Sequence, residues 1–226
     1  MQPNEIRFAV LNFPYDKERL KKEVMAHSDL LEQVYAAVEP LRRRPFNVVS
    51  EERYAQLENT WNPNARAVPI VGWLGYNFTR VVEDPDIRSG VIPVREKHEN
   101  WEWQPELELS YLKQLVTELG FTKFRTIKLY TLDPPHFVPV HKDSSTGYYD
   151  NHVSVTFGIE NGGQTLTSHF EGNNLFNIYQ DCFIFRDDAW HGVGEAVSKR
   201  ILVRISGKAD FDIMSQYIDY NSIKLV

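Results

Sequence analysis

The stretch that decides the fold lies at residues 125–143 and reads RTIKLYTLDPPHFVPVHKD. Two short β-type runs flank a turn at Pro134 and Pro135, a pattern typical of strands joined by turn residues. Similar runs follow along the chain, and together they predict strands at residues 125–132, 137–143, 152–159, 164–170, 175–179, 182–186 and 200–207. Short strands at this spacing favour a sandwich or a barrel.

The sequence before this region has helical spacing instead. Residues 16–39 carry an apolar stripe that ends at Pro40, and residues 107–120 carry another that ends with Gly120 as a C-cap. We therefore predict an α+β, mainly β chain whose N-terminal helices pack outside the β core. The predicted single domain spans residues 1–226, with an α-rich part at 1–120, the β core at 121–210 and a C-terminal tail at 211–226.

Composition narrows the classes of function. The 226 residues hold 25 Lys+Arg against 31 Asp+Glu, a formal net charge of −6, which argues against a general nucleic-acid binder. No apolar run approaches the roughly 20 residues that span a bilayer. The lone Cys182 excludes an intramolecular disulfide and a Cys-based zinc site. We expect a cytoplasmic protein that binds neither nucleic acid nor membrane and whose metal ligands, if it has any, are His and carboxylate.

The first candidate site is the triplet His141-Lys142-Asp143. On a strand, residues i and i+2 point to one face, so an imidazole and a carboxylate converge there. The same His-x-acid spacing recurs at His27 and His169. We expect His27 to pack in mid-helix and interpret His169 as part of a solvated strand edge.

A second histidine, His191, follows fifty residues after His141, in a predicted polar turn. Two histidines and one carboxylate on one face of a metal leave positions open for substrate and dioxygen. Arg200 follows His191 by nine residues and shares a strand face with Arg204. Buried arginines need anionic partners, and a dicarboxylate cosubstrate would supply one. The alternative is a structural His–Asp pair with an ordinary turn histidine.

From residue 125 to residue 206 the chain resembles the non-haem iron, 2-oxoglutarate-dependent oxygenases with a double-stranded β-helix (jelly-roll, cupin-like) core. The segments LDPPH and VHKD at 132–143, and FIFRDD, His191 and Arg200 later, are similar to the aspartyl/asparaginyl β-hydroxylase group. That group includes free-proline cis-hydroxylases and a lipid A hydroxylase. The interval between His191 and Arg200 is shorter than the common one, which keeps Arg204 as a rival for the same role.

The resemblance implies that Fe(II) binds His141, Asp143 and His191, and that Arg200 holds 2-oxoglutarate. It also implies a pocket lined by the strand face of His152, Ser154 and Thr156, with a hydroxyl from Tyr130 near the cosubstrate. The implied reaction is hydroxylation of an unactivated C–H of an amino acid or amino-acid residue, in a small molecule or a peptide. Dioxygen is consumed, and succinate and CO₂ are released. The competing hypothesis is a non-catalytic cupin-like module that binds a small carboxylate or a metal.

Overall fold

Two antiparallel sheets form the body of the fold. The structure is a computed structural model that describes residues 5–37, 67–82, 101–141, 152–162, 167–171, 174–178, 180–185 and 191–225. Its strands are β1 (Ile6–Val10), β2 (Glu32–Ala37), β3 (Ala67–Asn77), β4 (Thr79–Val81), β5 (Trp101–Trp103), β6 (Phe121–Leu132), β7 (Val138–His141), β8 (His152–Asn161), β9 (Thr167–Glu171), β10 (Asn174–Ile178), β11 (Cys182–Phe185), β12 (His191–Val193), β13 (Arg200–Ala209) and β14 (Lys224–Leu225). Its α-helices are α1 (Lys17–Met25), α2 (Ser110–Glu118) and α3 (Phe211–Met214).

From β6 to β13 the chain passes back and forth between the two sheets, with β9 and β10 paired as neighbours in the small sheet. The large sheet has the order β14-β1-β11-β8-β13-β6-β3-β2, and the small sheet has the order β10-β9-β12-β7. A third pair, β4 and β5, stands apart from both. The seven predicted strands of this region are therefore all present in their described parts, and the mainly β character is confirmed. The sequence pattern missed β12, because His191 opens a short strand instead of lying in a turn.

The central strands of the large sheet, β8, β11 and β13, are largely buried on both faces. On β13, Ile201, Val203 and Ile205 belong to the main hydrophobic core, which also includes residues of α1 and α2. The alternate positions of the same strand face the opposite side, because side chains alternate along a strand. The helices therefore cover one face of this sheet and leave the other face for the small sheet.

The N-terminal region contains more β-structure than its apolar spacing predicts. Helix α1 ends at Met25, a 3₁₀ turn covers Ser28–Leu30, and residues predicted as helix through Ala37 form β2. The prediction of a helix over 16–39 is wrong in its second half, because pairing with β3 recruits these residues into the large sheet. The described part of residues 1–120 holds five strands and two α-helices, so it is not α-rich.

The structure contains the helix predicted at 107–120, and it also contains helical and strand elements in the C-terminal tail. Helix α2 is present, and Gly120 follows it with φ of +80°, the left-handed conformation of a glycine C-cap. In the C-terminal tail, α3 follows the core, and β14 pairs with β1 at the sheet edge. Within the described residues, no helix is long and apolar enough to cross a membrane.

Glu23 on α1 caps the first turn of α2. Its carboxylate accepts hydrogen bonds from the backbone N–H groups of Tyr111 and Leu112, at 2.8 and 2.7 Å. These N–H groups have no partner inside the helix, and the helix dipole favours an anion there. We expect Glu23→Ala to lower the free energy of unfolding by about 1–2 kcal/mol, measured by denaturant titration. Glu23→Gln, which keeps one acceptor oxygen, should lose less, and equal losses would contradict the capping role.

Candidate functional site

A cavity lies between the two sheets, with walls from both. The large sheet contributes residues of β3, β6, β8, β11 and β13, and the small sheet contributes residues of β7 and β12. The described residues that line it are Trp73, Tyr130, Thr131, Leu132, Val138, Thr156, Phe183, Phe185, His191, Val193, Arg200, Leu202 and Arg204. Two arginines and a histidine thus share a mostly apolar space. Five of the predicted site residues are brought together here: Tyr130, Thr156, His191, Arg200 and Arg204.

His191 is the buried histidine of this cavity. It is 3% exposed, and its ring centroid lies 5.7 Å from that of Phe185. In the small sheet, His191 pairs directly with His141 of β7. Directly opposed positions of neighbouring antiparallel strands lie on the same face of the sheet. The two histidines predicted from sequence therefore occupy adjacent positions of one face.

The third member of the predicted triad, Asp143, lies outside the described residues, as does the rest of the segment from residue 142 to residue 151. Within the described residues, no group of three His, Cys, Asp or Glu side chains forms a metal site. A buried histidine opposite a second histidine nevertheless suits a divalent transition metal, since imidazole is a preferred ligand of such ions. The donor types on hand therefore fit the iron that the resemblance implies.

His169 occupies a different position from the one predicted. Strand β9 lies between β10 and β12, so it is an interior strand of the small sheet and the strand-edge interpretation is wrong. Its register pairs His169 directly with His191, on the side of β12 opposite His141. Three histidines consequently occupy one row across β7, β12 and β9. Spacing along the chain could not reveal this row, because strand pairing alone creates it.

Arg200 and Arg204 enter the cavity from β13, as their shared strand face predicts. Arg200 is 8% exposed and lies opposite Leu132 of β6. Burial first, and then the positive charge of Arg204, lower the pKa of Arg200 to about 10. It therefore stays a cation at neutral pH and can bind a carboxylate.

Two hydroxyl groups reach the same space. Tyr130 lines the cavity and stacks on Trp73, with ring centroids 5.3 Å apart. Thr156 lies opposite Arg204 across the β8–β13 pair. The hydroxyl oxygen of Thr156 is buried and makes no hydrogen bond to any described residue. Such a group has a strong preference for a polar partner, which a bound ligand can supply.

The other two residues predicted to line the pocket from β8, His152 and Ser154, differ from Thr156 in their surroundings. The hydroxyl of Ser154 lies 2.7 Å from that of Ser206, and Ser154 does not line the cavity. The hydroxyl of Ser154 thus already has a partner on the adjacent strand, and the predicted pocket role of Ser154 stays a prediction. His152 begins β8 and pairs with Lys208. Its predicted role beside the cosubstrate stays a prediction.

Aromatic cavity residues were not recognised as functional from the sequence. Trp73, Phe183 and Phe185 all line the cavity. Phe183 and Phe185 lie in an apolar run that predicts a core strand. The alternation of side chains along this run was the one sequence signal that the two residues share a face. Facing an internal cavity and facing the core require the same apolar residue types.

Three further residues have structural surroundings. His136 packs against Gly72, where a Cβ would come within 2.0 Å of the imidazole, and it does not line the cavity. His27 lies beyond the end of α1, not in mid-helix, and its ring contacts Phe78. Cys182 is buried, and burial raises the pKa of its thiol above the usual range.

Comparison with solved structures finds similarity to iron oxygenases. The chain is similar to an oxidoreductase of the 2OG-Fe(II) oxygenase family from Burkholderia pseudomallei, with 11% identity, a TM-score of 0.48, and coverage of 85% of this chain and 79% of that one. Neither a protein-family model nor a curated protein sequence matches the chain.

Two prolyl hydroxylases are also similar. One, from Trichoplax adhaerens in complex with a hypoxia inducible factor peptide fragment, has 10% identity, a TM-score of 0.45, and coverage of 94% and 87%. The other, a prolyl-4-hydroxylase from Pseudomonas putida, has 17% identity, a TM-score of 0.37, and coverage of 84% and 99%. At such identities, the activity of this chain has to be argued from its own residues.

Proposed function

We propose that this protein is an Fe(II)- and 2-oxoglutarate-dependent hydroxylase with a jelly-roll core. One observation carries the proposal: the buried His191, opposite His141, shares a cavity with the buried cation Arg200. A metal ligand and an anion-binding group in one apolar space match a metal that takes a dicarboxylate cosubstrate. The repeated passage of the chain between two antiparallel sheets, from β6 to β13, supports a jelly roll of the cupin kind.

The ligands proposed for Fe(II) are His141, His191 and Asp143. When bound, the metal with 2-oxoglutarate supplies the activation of dioxygen that leads to a hydroxylated carbon, succinate and CO₂. The chain itself holds the reactants. Arg200 binds the distal carboxylate through a paired, charge-assisted hydrogen bond. Thr156 and Tyr130 offer hydroxyl groups beside it.

The apolar wall of the cavity has its own role in the proposal. Leu132, Val138 and Ala196 form a buried cluster with Trp73 and Val193 packed on it. Because Leu132 of this cluster lies opposite Arg200, the cluster limits the access of water to the carboxylate that Arg200 binds. Exclusion of water strengthens the ion pair and limits side reactions. The substrate class, an amino acid or amino-acid residue, rests on the resemblance described above.

Succinate formation tests the proposed function against the binding-module alternative. Protein incubated with Fe(II), 2-oxoglutarate and dioxygen should release succinate slowly, and faster when a screen of amino acids, peptides and nucleotides supplies the true substrate. Succinate is measured by NMR. His191→Gln is the matched inactive variant, and Lys199→Gln, an exposed cation paired with Asp133, is the active control. No succinate from the wild-type protein with any compound would favour the non-catalytic module.

A further inference from the structure

The cavity holds a second cation that the cosubstrate does not require. Arg200 and Arg204 both line it, and their separation of four residues on one strand corresponds to about 13 Å along β13. In the proposed function, 2-oxoglutarate has two carboxylates, one at the metal and one at Arg200. No carboxylate of the cosubstrate then remains for Arg204.

The two arginines differ in burial and in their neighbours. Arg200 is buried and lies opposite Leu132, which clusters with Val138 and Ala196, whereas Arg204 is half-buried. In the small sheet, strand β7 begins at Val138, a member of that cluster, and ends at His141. Arg200 therefore lies beside this apolar cluster, and the small-sheet register pairs Val193 with Val138 at the cluster and His191 with His141 farther along the strands.

Arg204 lies beside the buried histidine of the site. Its guanidinium carbon is 4.4 Å from the ring centroid of Phe185 and 5.6 Å from that of Tyr130. The ring of Phe185 also contacts His191. One aromatic ring thus separates the Arg204 guanidinium from the imidazole proposed to bind the metal. Two aromatic contacts hold the guanidinium in place through cation–π attraction.

A guanidinium fixed in this position recognises carboxylate by geometry as well as by charge, because its planar fork donates two parallel hydrogen bonds. Thr156, directly across the strand pair, adds a buried hydroxyl to the same neighbourhood. Binding of an anion here also offsets the repulsion between the two cations, which contributes to the lowered pKa of Arg200.

We infer that Arg204 binds an anionic group of the prime substrate, a carboxylate, and thereby positions the substrate carbon beside the metal. The inference rests on the proposed function and names the feature by which the site selects its substrate. It assigns the two arginines separate ligands: Arg200 binds the cosubstrate and Arg204 binds the substrate.

The test uses the full chain loaded with Mn(II) and 2-oxoglutarate without dioxygen. The probes are free amino acids and N-acetyl amino acids, each paired with its primary amide. Mn(II) broadens the proton NMR signals of compounds that bind close to it, so binding is measured without turnover. We expect broadening for at least one carboxylate, with the matching amide bound at least about tenfold more weakly.

The variants separate this inference from the proposed function. Arg204→Gln should weaken the broadened carboxylate at least about tenfold and change 2-oxoglutarate affinity less than about threefold. Lys208→Gln, a cation of β13 outside the cavity, should change neither. Three results overturn the inference: equal binding of acid and amide, no acid-selective compound in the panel, or a loss of 2-oxoglutarate affinity in Arg204→Gln that equals the loss in Arg200→Gln. A wild-type protein that binds neither Mn(II) nor 2-oxoglutarate overturns the proposed function itself.

Discussion

Replacement of His191 by glutamine is expected to abolish the metal site. The anaerobic wild-type protein with Fe(II) and 2-oxoglutarate should develop the weak visible charge-transfer band of the chelate, and His191→Gln should lose it. Since loss of a group that merely orients a ligand costs about 10–100-fold in metal affinity, loss of a ligand should cost more than about 100-fold. Metal affinity is measured by titration of the band.

Controls make this result specific. His191 is buried against Phe185, so the folded state of the variant is verified by its thermal unfolding. His27→Gln changes a histidine that contacts Phe78 away from the cavity and should leave the band unchanged. An unchanged band in His191→Gln would remove this residue from the metal ligands.

The same titration decides which residue completes the ligand set. Asp143 is two residues after His141, and His169 is the third histidine of the row across the small sheet. If Asp143 is the third ligand, Asp143→Ala should weaken metal binding and His169→Gln should not. The reverse outcome would replace the two-His, one-carboxylate set with three histidines, a set that proteins also use for metals.

Replacement of Arg200 by glutamine is expected to remove cosubstrate binding and leave the metal in place. Loss of one partner of a buried, hydrogen-bonded charge pair costs about 2–5 kcal/mol, which corresponds to roughly 30-fold or more in affinity. The affinity for 2-oxoglutarate is measured by calorimetry on the Mn(II)-loaded protein. Arg200→Lys keeps the charge but not the paired geometry, so it should retain part of the affinity.

Lys199→Gln is the matched control for Arg200, because this neighbouring cation is exposed and pairs with Asp133. It should bind 2-oxoglutarate as the wild-type protein does. If Arg204→Gln alone loses the cosubstrate, the roles given to the two arginines are reversed. Loss in both variants would mean that the two cations hold one carboxylate together.

Much of the β core was predictable from the sequence because its strands carry local signals. Turn residues such as Pro134 and Pro135 punctuate the runs, and strand alternation is visible on β13, where Arg200 and Arg204 share one face. The helix that became α2 was predictable for the same reason, since a complete apolar stripe and a terminal glycine lie in one short segment. The local pattern was sufficient to predict a helix or strand wherever each face of that element has a single role.

The wrong prediction of a helix after Met25 also has a physical cause. The apolar residues after Met25 fit a helix and a strand about equally well at short range. Pairing of β2 with β3 resolved the choice, and β3 is distant in the chain. Backbone hydrogen bonds to a remote strand leave no trace in the local spacing.

The sequence by itself determined the residue types of the proposed site: two histidines, a carboxylate and two arginines in an order that suits a metal and an anionic cosubstrate. The tertiary structure alone decided how they are arranged. Strand register put His191 between His141 and His169, and packing placed Arg200 opposite Leu132 and Arg204 over the ring of Phe185. Chemistry is carried by residue identity, whereas distance between residues far apart in the chain is set by sheet pairing, which only the folded chain defines.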